Sequence, residues 1–324
     1  MLHGSLALTI DINGKNIMKT TVKMIYLMFI LFLPKSAIAA EPLVDVVWVK
    51  ENLQAEGVVF LDVTSNMQVF KKAHIPGAIF THYQKDQWRV AGKKRGKKVP
   101  GLLPSASHLQ KLIRRLGIEN TNHVVVVPAG RSAADMGIAT RIYWTFKVVG
   151  HDKISILNGG MNAYRAAKLP LIDRMTVRAP TSFKVKSDYS YLATESELLK
   201  SLEQGEKIID SRTSAQYLGI NKSGRVQRAG TLPSAVNIPG EYLTVNKQGV
   251  FRSKKAIAKL YSYLEVPSNT AAITFCNTGH WASIGWFVHS EILGNKNTRM
   301  YDGSMAEYTT NKNANLIQRF RLDI

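Results

Sequence analysis

One cysteine, Cys276, is the whole thiol inventory of the 324 residues. An internal disulfide is therefore excluded. So is a zinc site of clustered cysteines and histidines, because the eight histidines are scattered along the chain. Acidic residues are scarce too: 23 Asp and Glu stand against 43 Lys and Arg, a formal net charge of +20. A field of that sign concentrates small anions and speeds their arrival. It also fits contact with an acidic protein partner. Nucleic acid is not expected, since the densest basic run, Gly92-Lys93-Lys94-Arg95-Gly96-Lys97-Lys98, lacks the interleaved aromatics of a base-stacking platform and reads as a solvated loop. No Walker loop or dinucleotide fingerprint is present, and no metal or other cofactor is expected.

Long apolar runs are also missing beyond the first 40 residues, so no stable membrane insertion is expected there. Within them, the basic stretch Met18-Lys19-Thr20-Thr21-Val22-Lys23 precedes an unbroken apolar run from Met24 to Leu33. Ala37-Ile38-Ala39-Ala40 then offers a small-residue cleavage pattern. That order reads as an export signal over residues 1–40, with Met18 a candidate natural start. The expected product is exported and soluble, which in a bacterium means the periplasm.

What is present is a repeated frame. Val59-Phe60-Leu61-Asp62-Val63 recurs as Lys207-Ile208-Ile209-Asp210-Ser211, and Ala73-His74-Ile75-Pro76-Gly77-Ala78-Ile79 recurs as Ala229-Gly230-Thr231-Leu232-Pro233-Ser234-Ala235-Val236. Val124 to Val127 answers Ala272 to Phe275, and Ile156-Leu157-Asn158-Gly159-Gly160 answers Arg299-Met300-Tyr301-Asp302-Gly303. Short apolar strand patterns alternate with helical stretches such as Ala106 to Leu116 and Glu195 to Leu202, the pattern of an α/β fold with a parallel sheet flanked by helices. The expected organisation is a first domain over 41–172, a polar linker over 173–190 and a second domain over 191–324.

The lone cysteine lies between a strand pattern, Ala271 to Phe275, and a buried-helix pattern, Ala282 to Leu293, that stops at Gly294. A loop curling back before a helix turns successive N–H groups toward one point, and the helix dipole adds positive partial charge there. A thiolate at Cys276 is stabilised by that arrangement. The alternative is a small buried hydrophobe, but Asn277, Thr278, Gly279, His280 and Trp281 are poor core fillers. His280 either packs in the loop or donates to a bound oxyanion. Arg212, beside Asp210, either anchors the loop, attracts an anion or is simply ion-paired.

The duplicated layout, the strand-end aspartates Asp62 and Asp210, the His74-Ile75-Pro76-Gly77-Ala78 segment, Tyr301-Asp302-Gly303-Ser304 and the loop opened by Cys276 together resemble a tandem-domain rhodanese sulfurtransferase. The resemblance implies two rhodanese-like domains, the first inactive because Pro128 stands near where the thiol would be. It implies that Cys276 takes a sulfane sulfur from a small anionic donor, thiosulfate foremost, and passes it to a thiophilic acceptor such as cyanide. The loop from Asn277 to Ala282 would cradle the charged sulfur. Basic residues that often follow the cysteine in thiosulfate-using relatives are here Asn277 and Thr278. An arginine frequent in the second domain is here Gln216, for which Arg225 or Arg228 is a candidate replacement. A 3-mercaptopyruvate sulfurtransferase and a non-catalytic sulfur carrier are the alternative readings. A tyrosine phosphatase is excluded by alanine at 282, where phosphate clamping needs arginine.

Overall fold

In the computed structural model, which describes residues 41–245 and 248–320, one pattern of elements occurs twice. The expected export signal lies outside these residues. The first copy runs β1 (Leu43–Val44), α1 (Val46–Asn52), β2 (Val58–Asp62), α2 (Met67–Lys72), β3 (Ile79–Phe80), β4 (Val90–Lys94), β5 (Lys97–Leu102), α3 (Ala106–Arg115), β6 (His123–Val127), α4 (Ala133–Val148), β7 (Ile154–Leu157) and α5 (Gly160–Ala166). The second runs β8 (Leu192–Ala193), α6 (Glu195–Glu203), β9 (Lys207–Asp210), α7 (Ser214–Leu218), β10 (Val236–Asn237), α8 (Lys254–Tyr263), β11 (Ala272–Phe275), α9 (His280–Trp286), β12 (Thr298–Tyr301) and α10 (Ser304–Tyr308).

Each copy forms a five-stranded, all-parallel sheet, in the orders β1-β7-β6-β2-β3 and β8-β12-β11-β9-β10. Strand for strand the orders are the same, so the duplication legible in the sequence is a duplication of topology. Central strands read as unbroken apolar runs because helices cover both faces, and Val124 to Val127 are fully buried. Helix starts follow the local chemistry: Ser105, Ser132 and Asn66 accept from first-turn N–H groups, and Thr194 with Glu197 forms a reciprocal capping box.

The two copies share one apolar core. Helix α4 has no polar side along most of its length, and it packs on α9, itself buried from Ala282 to Trp286. Tyr143 meets Phe287 edge-on with ring centroids 4.9 Å apart, and Thr140 Oγ1 lies 2.9 Å from Ser283 Oγ. After α9 the chain makes a wider helical turn over Phe287–Ile292, and Gly294, at φ +91°, ends it. Residues 173–188 contain no helix or strand, yet they are pinned to the first copy. Phe183 is buried there, and the N–H groups of Lys186 and Asp188 donate to Val149 and Val148.

The basic run is solvated, as its exposed residues 93–98 show, but it is a hairpin and not a loop. β4 and β5 pair as an antiparallel hairpin whose turn residues, Arg95 and Gly96, both have positive φ, 47° and 74°. The hairpin reaches the second copy: Lys94 pairs with Glu307 at 2.9 Å, and Arg95 with Glu195 at 2.7 Å and with Thr310 Oγ1 at 3.1 Å. Charges that sequence alone reads as facing water are partly neutralised across the contact between the copies.

Candidate active site around Cys276

Cys276 follows the central strand β11 of the second sheet, at the carboxyl end where open parallel sheets place their ligand crevices. Its side chain has no solvent exposure. Its own N–H donates to Ser304 Oγ at 3.1 Å, and Ser304 in turn donates to the Tyr301 carbonyl at 2.9 Å. Negative charge on this sulfur is therefore met by protein dipoles rather than by water.

The loop carbonyls account for the geometry. The Cys276 carbonyl accepts from Met305 N–H at 3.0 Å and that of Asn277 from Ala306 N–H at 2.9 Å, both in the first turn of α10. The Thr278 carbonyl accepts from Arg89, and the Gly279 carbonyl from Arg141 at 3.3 Å. All four carbonyls thus bond to donors outside the loop. No peptide among the described residues is cis, so each N–H points opposite the carbonyl preceding it. Turning four carbonyls outward turns the N–H groups of Asn277, Thr278, Gly279 and His280 inward. Those of Asn277, Thr278 and Gly279 have no protein acceptor among the described residues. Helix geometry leaves the N–H groups of His280, Trp281 and Ala282 free in the first turn of α9. Six amides with anion-binding capacity surround the space enclosed by the loop. Gly279 sits at φ +78°, and a Cβ there would lie 2.5 Å from Arg141 and 2.9 Å from Asp302, so only glycine fits.

The remaining residues singled out in the sequence fall in distinct places. Asn277 Nδ2 donates to Gln216 Oε1 at 2.8 Å, so a neutral amide pair stands where the resemblance suggests basic groups. Trp281 lies over Gly240, where a Cβ would be 2.6 Å from its ring, and it walls the loop from the second copy. The buried Ala282 accepts through its carbonyl from Thr274 Oγ1 at 3.1 Å.

His280 turns toward the first copy. Its Nε2 lies 3.2 Å from the Ala134 carbonyl and its Nδ1 3.3 Å from Tyr83 Oη. The pattern fits a neutral ring donating through Nε2 and accepting from the tyrosine. Burial, with the positive charges of Arg89 and Arg141, pushes its pKa down to about 3. The expected donor to a bound oxyanion is thus occupied elsewhere. Arg212 is fully buried, paired through Nη2 with Asp210 at 2.6 Å and bonded to the Gly230 carbonyl at 2.9 Å. It braces the strand end, which is the ion-paired alternative rather than the anion-attracting one. Arg228 likewise holds the carbonyls of Asn311 and Ala314. Arg225 is exposed and, with Arg89 and Lys98, lines a cleft of about 720 Å³ that Thr278 and His280 also border. Among the described residues no cluster of metal-ligating side chains occurs, and no helix is long and apolar enough to cross a membrane.

Sequence reading missed Arg89 and Arg141, and it named Asp302 only within a family-like segment, without its partner. Arg141 is wholly buried, its Nη1 2.5 Å from Asp302 Oδ1, while Asp302 Oδ2 accepts from Leu103 N–H at 2.6 Å. A lone arginine inside a helix pattern carries no sequence signal of such a partner.

The first copy repeats the frame without the thiol. Met161 N–H donates to the Pro128 carbonyl at 2.8 Å and Asn162 N–H to that of Ala129 at 3.1 Å, the same two bonds that Met305 and Ala306 make. Pro128 therefore occupies the position of Cys276.

The Rhodanese-like domain family profile matches residues 45–167 and 194–311. A Mycobacterium bovis protein named "Putative thiosulfate sulfurtransferase 1" is 30% identical over 278 residues, 82% of this chain and 94% of the relative. The sulfur carrier protein TtuD of Thermus thermophilus is 28% identical over 280 residues, 83% and 93% of the two chains. Among solved structures, the 3-mercaptopyruvate sulfotransferase SseA of Escherichia coli superposes with a TM-score of 0.69 at 21% identity, over 82% of this chain and 99% of that one. The anaerobic ergothioneine biosynthesis enzyme of Chlorobium limicola does so at 0.70 and 17%, over 85% and 69%. At those identities the structural likeness is one of fold.

Proposed function

The chain belongs to the Rhodanese-like domain family and is a sulfurtransferase of rhodanese type, and from that premise we propose that it carries the outer sulfur of thiosulfate on Cys276 to a thiophilic acceptor such as cyanide. The Cys276 thiolate attacks the outer sulfur, the sulfur–sulfur bond of the donor breaks, and sulfite leaves with the electron pair. The product is a persulfide anion on Cys276. Cyanide then attacks its terminal sulfur, forms thiocyanate and returns the thiolate. Dividing the transfer in this way gives ping-pong kinetics.

The observation that carries the reading is the set of six inward or free amides from Asn277 to Ala282, made available by carbonyls fixed outside the loop. Such amides need no reorganisation as charge moves from thiolate to persulfide. Arg89, Lys98 and Arg225 along the adjoining cleft supply the positive field a dianionic donor favours.

The deciding experiment is mass spectrometry of the purified chain after incubation with thiosulfate or with 3-mercaptopyruvate, followed by a thiocyanate assay with cyanide. Gain of one sulfur from thiosulfate and sustained thiocyanate formation are expected. Loading from 3-mercaptopyruvate alone would replace the donor. A single stoichiometric transfer without turnover would favour the carrier reading, to which the similarity to TtuD lends weight. The order of basic, apolar and small-residue segments in residues 1–40 supports export, hence a periplasmic sulfurtransferase. N-terminal sequencing of the mature chain, with Ala40 or Glu41 expected first, tests that.

A further inference from the structure

The first copy has no nucleophile, yet two arginines that bond to the catalytic loop's carbonyls come from it. Arg89 follows β3 and Arg141 lies within α4. Their targets, the Thr278 and Gly279 carbonyls, are 189 and 138 residues away in sequence. The other two donors, Met305 and Ala306 N–H, belong to the second copy, and their counterparts Met161 and Asn162 hold the same two carbonyls in the first. What the second copy lacks of its own is a donor for the third carbonyl, because the fourth, that of the N-cap Gly279, also takes the first intrahelical bond of α9 from Ser283 N–H. Resting on the sulfurtransferase reading, we infer that Arg89, braced by Arg141 through their shared bond to the Gly101 carbonyl, is a positioning residue for the thiolate cradle: by fixing the Thr278 carbonyl toward the first copy, it aims the Gly279 N–H at the enclosed sulfur.

Both guanidinium groups are themselves fixed. Arg89 Nε donates to the Gly101 carbonyl at 3.1 Å, and Arg141 Nη2 to the same carbonyl at 3.3 Å. Arg141 also lies over the Trp144 ring at 4.6 Å and pairs with Asp302. A fork tied at one end to Gly101 or Asp302 and at the other to a loop carbonyl holds that carbonyl in one orientation. Without Arg89 the Thr278–Gly279 peptide is free to rotate, and glycine at 279 offers little resistance, whereas the Gly279–His280 peptide keeps its helical bond in α9. Rotation of that plane replaces an inward N–H with an inward carbonyl, which repels the sulfur's charge. The first copy has a matching device: the carbonyl of Gly130, equivalent to Thr278, accepts from Gly249 N–H of the second copy at 3.0 Å. Each copy holds the third loop carbonyl of the other.

The test is the pH dependence of Cys276 alkylation by iodoacetamide in the full chain, compared between wild type, Arg89→Met, Arg141→Met and Arg89→Lys. Alkylation needs no sulfur donor, so it reads the cradle even where thiosulfate fails to load the protein. The expected result is a midpoint moved upward by about one pH unit in Arg89→Met, with a roughly tenfold slower reaction at neutral pH, and a smaller upward shift in Arg141→Met. Arg89→Lys, which keeps a donor, should recover much of that loss. The shift should persist in about 1 M salt, where the Debye length is about 3 Å. Arg89 is only partly buried, so its Met variant decides the matter if Arg141→Met does not fold. An Arg89→Met protein that melts at lower temperature but keeps the wild-type midpoint overturns the inference. So does a shift that vanishes in high salt, which would be the loss of a distant charge and not of a clamp.

Discussion

The imidazole of His280 rests directly on Gly137: a Cβ built on Gly137 would lie 2.5 Å from His280 Nε2. One residue belongs to the helix α4 of the first copy, the other opens the helix α9 behind the Cys276 loop. The absence of a side chain at 137 is therefore what lets the loop seat against the first copy.

Gly137→Ala should accordingly destabilise the protein, although alanine in a helix interior is ordinarily favoured over glycine by about 1 kcal/mol. His280→Ala in the same chain removes the clash. A double-mutant cycle followed by thermal unfolding should show a coupling of roughly 1 to 2 kcal/mol between the two positions. Additive effects would mean that the ring and the helix adjust independently.

Cys276→Ser should abolish sulfur loading while leaving the fold intact, and Pro128→Ala should leave loading largely unchanged. A serine hydroxyl is far less ionised than a thiol at neutral pH, and the only thiol in the chain is on the second copy. Loading that survives Cys276→Ser, read by mass, removes the mechanism.

His280→Ala should change the loading rate by less than about threefold, because both ring nitrogens face Ala134 and Tyr83. With a pKa near 3 in the folded chain, against 6.5 for a free imidazole, the ring does not titrate between pH 5.5 and 8. The loading profile across that range should be the same with and without it. Stability is a separate matter. A lowered histidine pKa contributes stability that is present above about pH 6.5 and is lost as pH falls toward the folded value. Buried His151 and His289, both lowered to about 4 chiefly by burial, act in the same direction. The melting temperature should therefore drop progressively below about pH 6.5.

Asp62 behaves in the opposite sense. It is equivalent to Asp210, but Thr64 stands where Arg212 pairs with the second aspartate, and burial raises its pKa to about 6, only partly countered by the Thr64 N–H. Its contribution to stability is full below about pH 3.8 and lost as pH rises through 6. Asp62→Asn keeps the acceptor for Thr64 and removes the charge. The variant should match wild type near pH 4 and be more stable above pH 6 by up to about 3 kcal/mol, as read by thermal or urea unfolding. Equal stabilities at pH 7 would show that the carboxylate finds compensation in the folded chain.

The sequence by itself determined the lone thiol, the duplicated frame and the strand–loop–helix setting of Cys276. Each of these is written within a few consecutive residues. Strand and helix periods are local, a repeat is visible by self-comparison, and one cysteine admits no rival. What only the tertiary structure decided concerns pairings between distant parts of the chain. Arg89 and Arg141 give no local sign that they hold loop carbonyls more than a hundred residues away. Nor does the run from Gly92 to Lys98 show that Glu307 and Glu195 lie opposite its charges and make it a strap. Sequence places His280 beside the cysteine, where it either packs in the loop or donates to a bound oxyanion. Helical geometry then turned its ring the other way, toward a glycine on α4. Arg212 was ambiguous for the same reason: a guanidinium two residues from an aspartate can pair inward or reach outward, and only the burial of both groups selects the pair. Short-range patterns fix backbone geometry, whereas the partner of a long polar side chain depends on which remote segment the folded core brings within hydrogen-bond distance.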